Sequence, residues 1–439
     1  MNHQPSGPYG TPVATHYAFG SFTYDAKRAK LQCYGVDIPL KPKTGALLHY
    51  FLQHPHRVIT KSELLDTLWR DEDVVEANLA QHVFLLRQAF ATYSPGETFI
   101  VTTARQGYCF VAAVQTAAHA RPSRGTSWKS YVEGRFFLDD RTQPSLERAI
   151  EAFERTVAED NAHAGAHAGI AEANVLAAEH LFAKPLPAFT RARAEAQRAL
   201  ELDPDNVEAY IALGNIHLFH DWDFVAAYEA FERATWLDPS HASSRLHKAR
   251  FLAIVGNYEA AASEIESVLA REPSSLKAIT EYAAAALLHE DFNAVYEMTD
   301  AALSLDPSHP RANYYRIAAL AFSGRYEEAL RHTCDDHGYE QQFLAVTAFA
   351  AGRAGLRNRA GELTAKIDAE AHWPYVSPFH RALPRIGLDD TQTAYRIVES
   401  GIHQRDPLSV FILRHPAFQR VPGIDELRHA IGPQQRNHQ

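Results

Sequence analysis

The side chains best suited to holding a metal ion are two pairs of histidines at helical spacing. His163 and His167 are four residues apart, and His217 and His220 are three apart, so each pair could present two imidazoles on one helix face. Neither pair has an obvious third ligand in the sequence, and we interpret all four as packed or surface histidines. The sequence also contains no GxxxxGKS/T, GxGxxG, HExxH or GxSxG motif, so it indicates neither a phosphate loop nor an activated nucleophile. We therefore expect no enzymatic activity, no metal and no cofactor.

Amide side chains in ANLAQHVFLLRQAF indicate a different kind of chemistry. Asn78, Gln81 and Gln88 can each donate and accept a hydrogen bond at once, which an adenine edge in the major groove of DNA requires. Each amide could equally be plain helix surface. In the following stretch, FIVTTARQGYCFV, Arg105 precedes Gly107 at an expected hairpin tip, from which it could reach backbone phosphate or a minor groove.

The distribution of charge permits a nucleic-acid partner, although the whole chain is acidic. Its 439 residues carry 43 Lys and Arg against 53 Asp and Glu, a formal net charge of -10. Residues 15–115 hold 10 basic and 9 acidic side chains, and the remainder holds 33 and 44. The acidity therefore belongs to the second part and does not count against DNA for the first. A net charge of +1 predicts weak binding by a monomer, which dimerisation or a partner would strengthen.

The elements expected between residues 15 and 115 would position these side chains. Short alternating segments, YAFGSFTYD, AKLQCYG and VDIPL, predict an antiparallel sheet. Helices are predicted in KTGALLHYFLQH, ITKSELLDTLW and ANLAQHVFLLRQAF, and Thr60 followed by Glu63 predicts a capping box on the second. A sheet, three helices and a hairpin are the order of a winged helix-turn-helix, and the hairpin is the wing.

The third helix is predicted to have one buried stripe and one outward face. The stripe consists of Leu79, Val83, Leu86 and Phe90. The outward face consists of Asn78, Gln81, Leu85 and Gln88. Phe84 and Leu85 lie off the stripe, where they could face a methyl-rich DNA site, a second protomer or the wing.

Three stretches resemble the OmpR/ToxR/CadC-type DNA-binding domain. They are LLRQ at residues 85–88, the wing sequence TTARQGYCFV, and KPKTGALLHYFLQHPHRVITKSELLDTLW, which is similar to the first two helices of that family. The resemblance implies DNA binding by the third helix and by the wing. Plausible phosphate contacts are Thr60, Lys61, His82 and Arg87.

The same resemblance implies a second partner. In that family the loop between the second and third helices can contact RNA polymerase, and here it contains the acids Asp71, Glu72 and Asp73. An acidic loop would be repelled by phosphate, so we expect it to serve transcription and not DNA affinity. A winged helix fused to repeats also resembles the HilA-like activators.

The second part of the chain repeats with a nearly constant period. Four tripeptides, ending at Pro204, Pro239, Pro273 and Pro307, are spaced by 35, 34 and 34 residues, which is the period of tetratricopeptide repeats. We predict about seven helix pairs, from Ser127 to about Arg405, with degenerate terminal units.

Such a solenoid usually presents one face to another chain. The predicted lining of this face comes from the first helices of the pairs: Asn215, Phe219, Arg250, Arg311, Tyr314 and Phe322. The aromatic side chains could equally pack between helices, and the arginines could be solvated surface.

The remaining features indicate the domain boundaries and the cellular compartment of the protein. The cluster RPSRGTSW predicts a linker at residues 116–126, between a domain at 15–115 and a solenoid at 127–432. The three cysteines are far apart in sequence, which favours a reducing compartment, and we interpret Cys109 as a small buried residue. No apolar run is long enough to span a bilayer, so we expect a cytoplasmic protein.

The sequence thus predicts an α+β winged helix-turn-helix domain followed by an all-α tetratricopeptide solenoid. We expect a sequence-specific regulator, more specifically an activator, that binds double-stranded promoter DNA and RNA polymerase. The repeats would bind a second copy of the chain, a regulatory protein or a small ligand, and no membrane. The alternative is a tetratricopeptide scaffold or chaperone whose winged domain binds protein instead of DNA.

Overall fold

The computed structural model describes residues 16–33, 36–69, 76–94, 97–103, 106–116, 126–332, 340–369 and 373–432. The chain divides into two compact units, Met1–Glu133 and Gly134–Gln439. The division falls inside helix α4, Thr126–Asp140.

The first unit contains two antiparallel sheets. The first sheet has the strand order β4-β3-β2-β1-β8 and the second has the order β5-β7-β6. The strands are β1 (His16–Phe19), β2 (Phe22–Asp25), β3 (Lys30–Cys33), β4 (Val36–Ile38), β5 (Val58–Thr60), β6 (Ile100–Thr103), β7 (Gly107–Phe110) and β8 (Gln115–Thr116). The predicted sheet and wing are both present.

The unit also contains three helices, α1 (Pro42–Gln53), α2 (Lys61–Leu68) and α3 (Glu76–Tyr93), of which α1 precedes β5, and α2 and α3 lie between β5 and β6 in sequence. Aromatic rings from both sheets and from α3 form the core of this unit. Phe90 lies 5.1 Å from Phe22 and 4.9 Å from Phe99, and Phe110 lies 5.3 Å from Phe19, between ring centroids. This cluster fixes the angle of α3 against the wing.

The second unit is helical throughout its described residues. Helices α4 and α5 precede seven successive pairs, α6/α7 to α18/α19, in which the first helix of each pair packs on the first helix of the next. The helices are α5 (Gln143–Glu159), α6 (Ala164–Glu179), α7 (Pro185–Leu202), α8 (Val207–Ile216), α9 (Phe224–Leu237), α10 (Ala242–Val255), α11 (Tyr258–Leu269), α12 (Leu276–Leu288), α13 (Phe292–Leu305), α14 (Pro310–Phe322), α15 (Tyr326–Ala329), α16 (Glu340–Arg353), α17 (Arg357–Asp368), α18 (Pro378–Gly387) and α19 (Thr391–His403).

The repeated Asp-Pro junctions end one helix and start the next. At Asp203 the side chain accepts a hydrogen bond from the Asp205 amide, and Asn206 then caps α8 by accepting from the Ala209 amide. His309 caps α14 in the same way, through a bond from the Ala312 amide. These bonds satisfy amides that a helix start leaves unpaired, which explains why a new helix starts shortly after Pro204 and after Pro307.

Beyond α19 the chain turns back onto the repeats. Two 3-10 helices, Pro407–Leu413 and Pro416–Arg420, are followed by α20, Ile424–Ile431. We call residues 406–420 the C-terminal segment. It packs on α6, α10 and α18 and on a π-helical turn, His217–Asp221, that follows α8. The sequence did not predict this return.

Candidate DNA interface and a cavity in the repeat unit

Helix α3 has the two faces that its sequence predicts. The members of the buried stripe, Leu79, Val83, Leu86 and Phe90, are each at most 2% exposed. On the other face Asn78 and Gln88 are exposed, and Gln81 and Leu85 are half-buried. The helix therefore offers hydrogen-bonding amides on the side turned away from the core.

Arg87 ties α3 to the wing. Its Nε donates to the Ile100 carbonyl at 3.1 Å, and a terminal nitrogen donates to the Thr102 hydroxyl at 2.8 Å. Both acceptors lie on β6, the first strand of the wing. The guanidinium thus fixes the position of the wing relative to α3, and the contact of Arg87 with phosphate stays a prediction.

Close contact between two strands explains the glycine of the wing. A Cβ atom added to Gly107 would lie 1.9 Å from the Ile59 carbonyl oxygen, so this position excludes any side chain. Tyr108, Cys109 and Phe110 follow it and are buried, which confirms the small buried role predicted for Cys109. Arg105, predicted at the tip, lies outside the described residues.

His82 is packed between α1 and the end of α2. Its Nδ1 is 2.8 Å from the Thr44 hydroxyl, and its ring lies 5.4 Å from that of Trp69. Burial, together with the charges of Lys41 and Lys43, lowers the pKa of His82. The structure thus shows His82 packed within the first unit, and its contact with phosphate stays a prediction.

The start of α2 differs in one respect from the predicted capping box. The Thr60 hydroxyl does accept a hydrogen bond from the Glu63 amide, at 3.1 Å. The Glu63 carboxylate, however, accepts from the Tyr50 hydroxyl and from Arg57, both at 2.8 Å. Because the Glu63 carboxylate binds Tyr50 and Arg57 instead, only one of the two hydrogen bonds of a capping box is formed, the one that the Thr60 hydroxyl accepts. Lys61, the other predicted phosphate contact here, is half-buried at the start of α2.

The predicted polymerase-contact residues Asp71, Glu72 and Asp73 lie outside the described residues. The structure describes the helices on either side, and α2 ends with a hydrogen bond from Lys43 Nζ to the Leu68 carbonyl, at 2.8 Å.

In the second unit, four of the six residues predicted for the partner face line one cavity. They are Phe219, Arg250, Arg311 and Tyr314. Asn215, in contrast, is only 2% exposed and hydrogen-bonds His247 at 3.1 Å. Phe322 is half-buried and lies 4.8 Å from the His415 ring of the C-terminal segment. The predicted partner face, which we call the inner face of the repeats, is therefore covered at Asn215 and Phe322 by other residues of the same chain.

The cavity is about 140 Å³ in volume, and ion pairs cross two of its walls. Arg250 donates to Glu179 at 2.9 Å and approaches His247 Nδ1 at 2.7 Å. Arg311 donates to Glu281 at 2.9 Å. Burial opposes ionisation of Glu281, but Arg311 and Arg250 outweigh it and lower the pKa of the carboxyl.

Buried imidazoles also line the cavity. His380 and His415 are 2% and 4% exposed, and burial lowers the pKa of each to about 3. His415 belongs to the C-terminal segment, as do two further lining residues, Leu408 and Phe411. The sequence did not indicate these residues, because the lining residues of α6 and α10 that they join lie more than a hundred positions away along the chain.

The histidine pairs predicted as packed or surface residues have structural partners. His163 caps α6 by accepting from the Ala166 amide, and His167 lies 2.6 Å from Glu195. His217 bonds Asp221 at 2.8 Å, and the His220 ring stacks on Phe189. Among the residues that the structure describes, no three His, Cys, Asp or Glu side chains group together as a metal site would require.

Two family models match the chain, one in each unit. Residues 35–110 match the model described as transcriptional regulatory protein, C terminal, and residues 189–242 match a tetratricopeptide repeat model. Neither is an enzyme family. The search of curated proteins gave no match. Across the described ranges, no helix is both long and apolar enough to cross a membrane.

Several solved structures are similar to the chain. The DNA-binding domain of E. coli CadC is 22% identical with a TM-score of 0.23, over 24% of this chain and 97% of that one. Yeast Tom70 is 17% identical with a TM-score of 0.43, over 89% and 85%. The human IFIT1 dimer with m7Gppp-AAAA is 13% identical with a TM-score of 0.49, over 89% and 82%.

Proposed function

Because the chain carries an OmpR/PhoB-type winged-helix domain followed by tetratricopeptide repeats, we propose that it is a sequence-specific DNA-binding activator of transcription. The observation that carries the proposal is the outward face of α3. Asn78, Gln81 and Gln88 stand there opposite a fully buried stripe, which is how a recognition helix presents base-reading groups to the major groove.

The two anchors of α3 support this assignment. Arg87 holds the wing to the helix, and His82 holds the helix to Thr44 of α1. A recognition helix must keep its angle to the wing for both to engage one DNA segment, because a base contact is lost when the side chain is displaced. We propose that Arg105 contacts phosphate or the minor groove from the wing, with Lys61 and Thr60 as further phosphate contacts.

We further propose that Asp71, Glu72 and Asp73 contact RNA polymerase, and that the repeats bring about self-association or bind a regulatory partner or effector. The repeat unit cannot attract phosphate by charge, since all of the excess acid of the chain lies outside residues 15–115. Its contribution to regulation must therefore come through other contacts. A cytoplasmic location is part of the proposal because the DNA partner lies there.

The test is a gel-shift measurement with the full-length protein on duplexes selected from a random pool. Replacing Gln81 by Ala is expected to reduce discrimination at one base pair by about 1–3 kcal/mol, because one bidentate contact is lost. Gln32→Ala is the matched control, since Gln32 lies on β3, where its amide donates to Asp37. The proposal would be contradicted if no duplex sequence were selected from the pool, or if both variants had the same base preference. Either result would favour a winged domain that binds protein.

A further inference from the structure

Four buried polar atoms around the cavity of the repeat unit have no hydrogen-bond partner within the described part of the chain. They are Arg250 Nε, Glu179 Oε1, His380 Nδ1 and His415 Nε2. All four residues line the same cavity, although they come from α10, α6, α18 and the C-terminal segment. Since a buried polar atom without a hydrogen-bond partner is destabilising, four around one cavity indicate a site that a polar ligand completes.

The partners that these atoms lack define the polar groups of the ligand. Arg250 Nε can only donate, so it requires an acceptor, and Glu179 Oε1 as a carboxylate can only accept, so it requires a donor. Each imidazole can satisfy either need through its choice of tautomer. A ligand that fits must therefore carry at least one hydrogen-bond acceptor and at least one donor.

The remaining walls are apolar and aromatic. Phe219, Phe379 and Phe411 line the cavity together with Leu176 and Leu408, and the Phe379 ring meets the His415 ring edge to face at 5.2 Å. The volume of about 140 Å³ is close to that of a protein cavity of about 150 Å³ that holds benzene. Size and lining both favour a single six-membered ring.

The charges of the lining favour an anion. Arg141, Arg250 and Arg311 face the carboxylates Glu179 and Glu281, which leaves one positive charge in excess. The lining histidines add none near neutral pH, because burial lowers the pKa of His180, His380 and His415 to about 3. All three arginines are half-buried, and one carboxylate on the ligand would neutralise the excess charge.

We propose that this cavity binds a small hydroxylated aromatic carboxylate, with its carboxylate on Arg250, its hydroxyl donating to Glu179 and its ring against the three phenylalanines. The ligand would join four separate parts of the repeat unit, because the lining residues come from α6, α10, α18 and the C-terminal segment. It is thereby suited to act as the effector of the regulator. That role rests on the proposed function, whereas binding itself does not.

The test is isothermal titration of the full-length protein with 4-hydroxybenzoate as the probe. We expect one site per chain. Benzoate should bind about tenfold more weakly, because the hydrogen bond to Glu179 is lost, and 4-hydroxybenzamide should bind at least tenfold more weakly, because it carries no charge. Equal binding of the benzamide, equal binding of inorganic phosphate, or no saturable heat with 4-hydroxybenzoate would overturn the proposal.

Variants locate the site. Arg250→Gln should abolish binding, whereas Arg233→Gln should not affect it, because Arg233 pairs with Asp205 at the surface. Arg250→Gln also deprives Glu179 of its partner and can impair folding, so Ala284→Phe provides the second test. Ala284 lines the cavity, and a phenyl group there fills the space without removing any charge.

The expected result is a folded Ala284→Phe protein, judged by circular dichroism, that no longer binds 4-hydroxybenzoate. Wild-type affinity in that variant would overturn the proposed site. Gel shifts with and without the probe then address regulation separately. If the protein binds the probe but binds no DNA, the proposed ligand site is supported and the proposed function is contradicted.

Discussion

Lowering the pH from 7.5 to 5 is expected to destabilise the repeat unit through His380 and His415. Burial lowers the pKa of each imidazole to about 3, whereas an unfolded histidine titrates near about 6.5. Their stabilising contribution is therefore complete above pH 6.5 or so and is lost as the pH falls toward the folded value, since only the unfolded chain takes up the protons.

The size of this effect follows from the two pKa values. At pH 5 each histidine favours unfolding by about 2 kcal/mol, and the pair by about 4 kcal/mol. Asp406 acts in the opposite direction. Burial raises its pKa to about 7, although Ser377, Tyr375 and Ser409 hydrogen-bond its carboxylate. Because the folded state then holds a proton that the unfolded state releases above pH 4 or so, acidification to pH 5 restores about 2 kcal/mol.

The assay is urea unfolding, followed by circular dichroism at 222 nm, at pH 7.5 and at pH 5. His380→Gln should reduce the pH-dependent loss by about 2 kcal/mol, and Asp406→Asn should increase it by a similar amount. His403→Gln is the matched control because His403 is exposed. A His380→Gln protein that loses as much stability as the wild type between the two pH values would refute the reasoning.

Three further substitutions test the packing of each unit. Gly107→Ala should displace the wing, because its Cβ would lie 1.9 Å from the Ile59 oxygen, and gel shifts should show weaker DNA binding by a protein that keeps its helical dichroism. Arg87→Met should weaken DNA binding at least tenfold with little change in urea midpoint, since it removes the hydrogen bonds from α3 to β6; unchanged affinity would show that these bonds are not needed for DNA binding. Phe418→Ala should cost about 3–5 kcal/mol in urea unfolding, because Phe418 is fully buried; a loss below 1 kcal/mol or so would contradict that packing.

Periodic local patterns account for the parts of the structure that the sequence predicted. The stripe from Leu79 to Phe90 repeats at helical spacing, so burial of one face follows from geometry alone. The hydrogen bonds at the Asp-Pro junctions join residues that are close in sequence, such as Asn206 and Ala209, so a local pattern predicts them. The wing follows from alternating apolar residues around Gly107, although the contact that excludes a side chain there comes from β5.

Long-range pairing accounts for what the sequence did not predict. Glu63 had two candidate partners beyond its own helix, and the sequence cannot rank a backbone amide against Tyr50 and Arg57. The return of the C-terminal segment joins Arg414 to the Val255 carbonyl, 159 positions away. In the sequence, that segment is a short apolar stretch with two prolines and no helical or strand periodicity, so its position in the fold could not be predicted.

The C-terminal segment changes what the repeats can be expected to bind. Val410, Ile412 and Phe418 are all fully buried against the repeat unit, and burial of such side chains contributes about 1.5–3 kcal/mol each. A peptide that lay along the inner face at these positions would first have to displace the segment, and would need about 5–9 kcal/mol of contacts to recover what was lost. A small ligand faces no such cost, because the cavity bounded by Leu408, Phe411 and the repeat helices is already open to it. The packing of the chain on itself therefore favours a small effector over an extended peptide as the occupant of the inner face, and leaves self-association to the surfaces that the segment does not cover.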